Sequence, residues 1–142
     1  MKLSVVIPAY NEERNLKKQV LDEVSKYLKK SNLDYEVLIV DDGSSDNTRG
    51  VIKKYIKKNT THPTSNRSSK FKLIENSHGG KAMAVMTGML ASVGEIVLFT
   101  DMDQATPINQ LDKFLPKFTE GFDIVIGSRS GRKGAPFVRK LS

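Results

Sequence analysis

Leu3-Ser4-Val5-Val6-Ile7-Pro8-Ala9-Tyr10-Asn11-Glu12 begins with a β-branched run that stops on turn-forming and polar residues. Tyr35-Glu36-Val37-Leu38-Ile39-Val40-Asp41-Asp42-Gly43-Ser44 repeats that arrangement. Leu3–Ile7, ending at Pro8, and Tyr35–Val40 therefore read as buried strands. Between them Leu16, Val20, Val24 and Leu28 recur every fourth residue, which gives one helix an apolar stripe. Asn11 is expected to cap that helix, with Glu12 and Glu13 in its first turn.

The same alternation continues. Asp46 is placed to cap a helix that carries Val51, Ile52, Tyr55 and Ile56 on one face. Residues 59–70 are polar and contain Pro63, so they read as a surface loop. Phe71–Ile74 is a third strand. A helix from about Gly80 is expected to turn Ala82, Val85, Met86, Met89 and Leu90 inward. Glu95–Thr100 is a fourth strand. Leu111, Phe114, Leu115 and Phe118 mark another helix, with Pro116 as a possible kink, and Phe122–Ile126 reads as a fifth strand. Strands alternating with helices predict an α/β three-layer fold with a mostly parallel central sheet.

The 142 residues suit one domain. Without cysteine the chain has no disulfide framework, zinc–thiolate site or thiol catalysis. Its apolar runs are strand-sized, too short to span a bilayer. The net charge of +7 attracts anions in general, and most lysines fit solvated helix faces. Arg129, Arg132, Lys133, Arg139 and Lys140 instead sit among glycines, making 130–142 a basic loop. No motif or aromatic–basic interleaving supports a nucleic-acid partner.

Ligands of parallel sheets bind beyond the carboxyl ends of the strands. Here those ends carry Pro8-Ala9-Tyr10-Asn11-Glu12, Asp41-Asp42-Gly43-Ser44, Asp101-Met102-Asp103 and Gly127-Ser128-Arg129. In an extended segment Asp101 and Asp103 point the same way and Met102 the other. Such hard oxygen ligands suit Mg²⁺ or Mn²⁺ bridging to a diphosphate. Two consecutive acids at Asp41-Asp42 are costly without a partner, which favours hydrogen bonding to a nucleobase or ribose over a plain turn. Gly79-Gly80-Lys81 reads equally as a flexible helix entry or a phosphate cradle. Arg129 reads equally as a surface arginine or a diphosphate clamp. His78, a lone histidine, is given no role.

In order and spacing, Val5–Glu12, Val40–Asp46, Gly80-Lys81, Asp101-Met102-Asp103 and Gly127-Ser128-Arg129 resemble the family 2 glycosyltransferases of GT-A fold. The likeness is greatest to the dolichyl-phosphate and polyprenyl-phosphate sugar synthases. Thr100–Asp103 followed by Ala105-Thr106-Pro107-Ile108 looks more like their glucosyl branch. The resemblance spans about residues 3–129.

It implies that Pro8, Tyr10 and Glu12 line a base and ribose pocket, that Asp41 bonds the base and that Asp42 lies close by. It further implies that Lys81 approaches the nucleotide phosphates or ribose. Asp101 would contact the donor sugar or ribose, Asp103 the metal, and Arg129 the diphosphate. Asp101, Asp103 and Arg129 are the implied catalytic set. Ala82 replaces the last glycine of the usual Gly-Lys-Gly. Ala105 stands where the mannosyl synthases carry a metal-binding Gln, and Gln104 lies one place early.

The implied reaction is inverting transfer of a hexose, glucose by preference, from a nucleoside diphosphate sugar, UDP by preference, to a polyprenyl or dolichyl phosphate. The alternatives are a saccharide acceptor, or donor binding without turnover. The chain is expected to be the nucleotide-sugar-binding part of a longer GT-A domain, at the cytoplasmic face of a membrane or in the cytoplasm. Parts beyond it, together with the basic loop, would meet the membrane.

Overall fold

A computed structural model describes residues 1–60 and 69–127. Its strands are β1 (Lys2–Ala9), β2 (Asp34–Asp42), β3 (Phe71–Asn76) and β4 (Ile96–Phe99). They form one all-parallel sheet in the order β3-β2-β1-β4. The helices are α1 (Glu13–Leu16), α2 (Val20–Lys30), α3 (Thr48–Asn59), α4 (Lys81–Ala91) and α5 (Leu111–Thr119). The chain divides into two compact units, Met1–Ile108 and a second from Asn109 onward. The whole sheet lies in the first. Among the described residues of the second, α5 buries Leu111 and carries Pro116 inside it.

β1 and β2 are the central strands, and from Leu3 and Tyr35 onward every one of their residues is buried. This is why their sequences are nearly continuous runs of Val, Ile and Leu rather than alternating ones. Pro8 lies inside β1 rather than ending it. The proline is tolerated because pairing with β4 stops before it: the ladder runs from Leu3–Ile96 to Val6–Phe99, and the Val6 carbonyl accepts from Thr100 N–H at 3.0 Å. Position 8 faces the same side as Val6, so its missing N–H falls past the end of β4.

The apolar stripe Leu16, Val20, Val24 and Leu28 is buried as expected. It is carried by two helices rather than one, because Gln19 takes a left-handed φ of 62° between α1 and α2. Asn11 caps neither; it has φ 53°, and Glu12 occupies the cap position of α1. Asn47 rather than Asp46 occupies the cap position of α3, and Asp46 supports that start from one residue earlier, its Oδ1 accepting Thr48 N–H at 2.9 Å.

Two expectations are corrected. The α4 face is not the large apolar one: Met86, Met89 and Leu90 are exposed, while Ala84 and Gly88 are buried. Ala84 packs with Val6 and Val40, and a Cβ on Gly88 would collide with Val6 Cγ1. Close helix–sheet approach selects small residues here, so counting side-chain hydrophobicity picks the wrong face. Nor is Phe122–Ile126 a strand; residues 122–127 carry no regular structure, and Ile124 and Ile126 are exposed. β-propensity supplies half of what a strand needs, and a paired neighbour supplies the other half. Most of the predicted 59–70 loop and all of 130–142 lie outside the described residues.

Candidate functional site

The carboxyl ends of β1, β2 and β4 open on one cleft of about 290 Å³. Pro8, Tyr10, Glu12, Asp42, Lys81, Asp101 and Asp103 line it, together with His78, Gly80 and Met102. Seven of the sequence-predicted site residues are thus brought together. Asp41 is fully buried and is not among the lining residues, and Arg129 lies outside the described residues.

The loops after β1 and β2 are stitched to each other. Asn11 Oδ1 accepts from Ser45 N–H (2.9 Å) and Asp46 N–H (3.3 Å), and Asn11 N–H donates to Ser44 Oγ at 3.0 Å. Glu12 N–H donates to Thr48 Oγ1 at 2.8 Å, and Asp46 Oδ2 accepts from Glu13 N–H at 3.2 Å. These polar side chains satisfy loop backbone that no ladder serves, and so hold Tyr10 and Glu12 at the cleft wall.

Asp41 and Asp42 differ although they are neighbours. Asp41 Oδ2 is held by Arg49 Nε at 3.0 Å and accepts from Ser44 N–H at 3.2 Å. Its Oδ1 is sealed from solvent with no hydrogen-bond partner, a costly state for a carboxylate oxygen unless a ligand donor meets it. Asp42 is fully engaged: Gly79 N–H (2.9 Å), Gly80 N–H (2.8 Å) and His78 Nδ1 (2.8 Å) converge on its carboxylate. Burial pushes the Asp42 carboxyl up, but these donors outweigh it and hold the group below the ordinary carboxylate value. The glycine N–H groups read as a phosphate cradle therefore go to Asp42, which fastens the entry of α4.

Lys81, the first residue of α4, pairs with Asp101 Oδ1 at 2.5 Å. Asp101–Gln104 is a turn rather than an extended segment. Gln104 N–H donates to Asp101 O at 3.2 Å, with a left-handed φ of 50° at Gln104. Met102 is nevertheless buried as an anchor, and Asp101 and Asp103 both reach the cleft. Asp103 Oδ1 accepts from Ala105 N–H at 2.9 Å. Gln104 Nε2 donates to Asp101 O at 2.8 Å, so it braces the turn.

Sequence reasoning missed His78 and Arg49. His78 stacks on Tyr10, with centroids 4.4 Å apart and planes at 25°. Arg49 bridges Asp41, the Ser44 carbonyl (2.7 Å) and Glu75 (3.6 Å). Neither has a local signature, because each partner is remote in sequence or on another element.

A parallel α/β sheet with acidic loops around a cleft at its carboxyl edge is the GT-A arrangement. Residues 4–142 match the family described as Glycosyl transferase family 2, and the chain belongs to that family. It is 32% identical over 141 residues to undecaprenyl-phosphate 4-deoxy-4-formamido-L-arabinose transferase of Proteus mirabilis, covering 99% of this chain and 41% of that protein. It is 39% identical over 149 residues to dolichyl-phosphate beta-glucosyltransferase of Dictyostelium discoideum, covering 99% of this chain and 43% of that protein. Among solved structures it resembles the mannosyltransferase PcManGT of Pyrobaculum calidifontis in complex with GDP-Man and Mn²⁺. There the TM-score is 0.58 at 30% identity, over 76% of this chain and 29% of that one. The chain thus spans about two fifths of the length of these curated relatives. Among the described residues no helix is long and apolar enough to cross a membrane.

Proposed function

We propose that this chain forms the donor-binding part of an inverting glycosyltransferase that moves a hexose from a nucleoside diphosphate sugar to a polyprenyl or dolichyl phosphate. Glucose is the preferred sugar, on the likeness to the Dictyostelium protein, and UDP is the preferred nucleotide, as the family resemblance implies. The observation that carries the reading is the cleft that unites an aromatic wall (Tyr10), a cation (Lys81) and two carboxylates on one turn (Asp101, Asp103).

Asp41 is assigned to the base on the family resemblance; its orphaned oxygen, sealed from solvent, would accept a nucleobase N–H once the loop after β2 shifts to admit the donor, while Pro8, Tyr10 and Glu12 wall the base and ribose. Asp101 faces the donor sugar or ribose. Lys81 serves the diphosphate once the donor draws it from Asp101, and Arg129 is assigned the same diphosphate from its sequence context. The donor set fits Mg²⁺ or Mn²⁺. Such ions commonly take one or two protein carboxylates and complete their shell with substrate phosphates and water. Asp103 and Asp101 are two carboxylates of that kind, and the described residues hold no cage of three or more ligands. When bound, the ion would offset charge on the leaving diphosphate.

In the reaction an acceptor phosphate oxygen attacks the anomeric carbon from the face opposite the leaving group. The bond from that carbon to the diphosphate oxygen breaks, and the nucleoside diphosphate departs with its electron pair. The acceptor is already anionic at neutral pH, so no protein general base is needed. The contribution of this chain is positioning and charge stabilisation.

Calorimetric titration of the chain with UDP, with and without Mn²⁺, tests the reading. Binding should require the ion. Asp103→Asn should weaken it on the order of tenfold to a hundredfold, the loss of one charge-assisted contact, with an unchanged melting temperature. Metal-independent binding, or an Asp103→Asn variant that binds like the parent, would overturn the metal assignment.

A further inference from the structure

His78 lies outside every role assigned above, yet three observations fix its place. Its ring stacks on Tyr10 at 4.4 Å. Its Nδ1 lies 2.8 Å from Asp42 Oδ2 and 3.0 Å from the Asp42 carbonyl. Its backbone passes so near Gly43 that a Cβ there would sit 2.8 Å from His78 N and 3.1 Å from His78 Cβ.

Both atoms facing Nδ1 act as acceptors, since the Asp42 carboxyl is held ionised by its converging donors. Nδ1 must therefore carry the proton, which fixes the tautomer of the neutral ring and the ring plane. Gly43 has a left-handed φ of 72° and lets the loop after β2 pass close against residue 78. The histidine ring is thus held at its edge by Asp42 and at its backbone by Gly43. Tyr10, itself nearly half exposed, leans on one face of it.

We infer that His78 is a positioning residue for the nucleobase: it fixes the plane of the Tyr10 ring, so that the other face of Tyr10 is presented to the base. The inference deepens the donor-site reading and rests on it. At a 4.4 Å separation the two rings leave no space for a base between them, so the base stacks on Tyr10 and His78 acts through it. An aromatic brace of this kind lowers the ordering cost of the receiving ring.

The test dissects the ligand. Uridine, UDP with Mn²⁺, and pyrophosphate with Mn²⁺ are titrated into the parent and into His78→Ala, His78→Asn and His78→Phe, with the melting temperature of each recorded. His78→Ala and His78→Asn should weaken uridine and UDP by the same factor, about threefold to tenfold, the worth of one aromatic pair. Pyrophosphate binding should be unchanged. His78→Phe keeps the stack without the bond to Asp42 and should recover most of the loss.

Equal losses for pyrophosphate and uridine would overturn the inference and reveal a general loosening of the α4 entry. Parent-like uridine binding in all three variants, or no recovery in His78→Phe, would overturn it as well. A parent that binds neither uridine nor UDP would sink the donor-site reading itself, a result distinct from these.

Discussion

Glu36 and Asp41 lie five residues apart on β2, both buried, and they have opposite relations to their surroundings. Glu36 Oε1 accepts from Ser4 Oγ (2.7 Å) and Val93 N–H (2.9 Å), and Oε2 pairs with Lys72 at 3.0 Å. Ser4 Oγ in turn accepts from Gly94 N–H at 2.9 Å. Every polar atom in that cluster is used, and the cluster ties the turn after α4 to β1 and β2. Asp41 keeps one oxygen without a partner. A complete network specifies the fold, whereas an incomplete one at the carboxyl edge of a parallel sheet stores an unmet demand that a ligand can satisfy.

The contrast breaks first at Glu36. Glu36→Ala strips the acceptor from buried donors and should destabilise the chain by about 3 kcal/mol in urea unfolding. UDP affinity of the folded protein should be unchanged. A large loss of affinity at constant stability would mean that the Glu36 cluster belongs to the site.

Asp41→Asn inverts the pattern. The Asn oxygen can keep the Ser44 N–H, which turns the amide NH₂ to where the orphaned acceptor stood. A donor then faces a donor, and UDP affinity should fall about tenfold to a hundredfold. Stability should drop by only about 1 kcal/mol, because the half-exposed Arg49 can lean further toward Glu75. If stability fell by as much as in Glu36→Ala while binding held, Asp41 would be a second structural acid.

Acid sharpens the same comparison. For Glu36, burial raises the carboxyl, but Val93 N–H, Ser4 and Lys72 together outweigh it, so the folded value lies below the ordinary 4.5. Asp42 and Asp46 are likewise held below 3.8, each against a burial effect that raises it. A depressed carboxylate contributes stability that is complete above its unfolded value and is lost as pH falls through the folded one. Stability should therefore hold from neutral pH down to about the ordinary carboxylate range and decline below it. Glu36→Gln should flatten that decline; urea midpoints measured from pH 7 downward give the slope.

These outcomes also separate what the sequence shows from what it hides. Runs such as Val5–Ile7 and Val37–Val40 are legible because burial on both faces leaves an unbroken apolar string. Pro8, Tyr10, Glu12, Asp42, Asp101 and Asp103 are legible as a group because topology gathers strand ends at one edge, and Lys81, at the entry of α4, is legible through the family resemblance. The roles of Arg49 and His78 depend on partners met only after folding, and neither forms a local pattern. Phe122–Ile126 shows the same limit from the other side, since its residues favour a strand but cannot indicate whether a partner is there.

The smallest expected effect comes from Gly88, where α4 rests on the two central strands. In an exposed helix Gly→Ala would gain about 1 kcal/mol from helix propensity. Here the new Cβ would collide with Val6 Cγ1 and sit 3.1 Å from Val40 Cγ2. Overpacking of that kind costs about 1–3 kcal/mol, so the net should be a loss of about 1 kcal/mol, with a sign opposite to the propensity. The two β-branched side chains cannot step aside, because both are fully buried in the sheet; α4 has to lift instead. Its first residue is Lys81, paired with Asp101 at the cleft, so UDP affinity should slip slightly with stability rather than independently of it. Ala84 is already packed in one buried cluster with the same two valines. A stabilised Gly88→Ala variant would show that α4 stands further from the sheet than the Val6 and Val40 contacts allow.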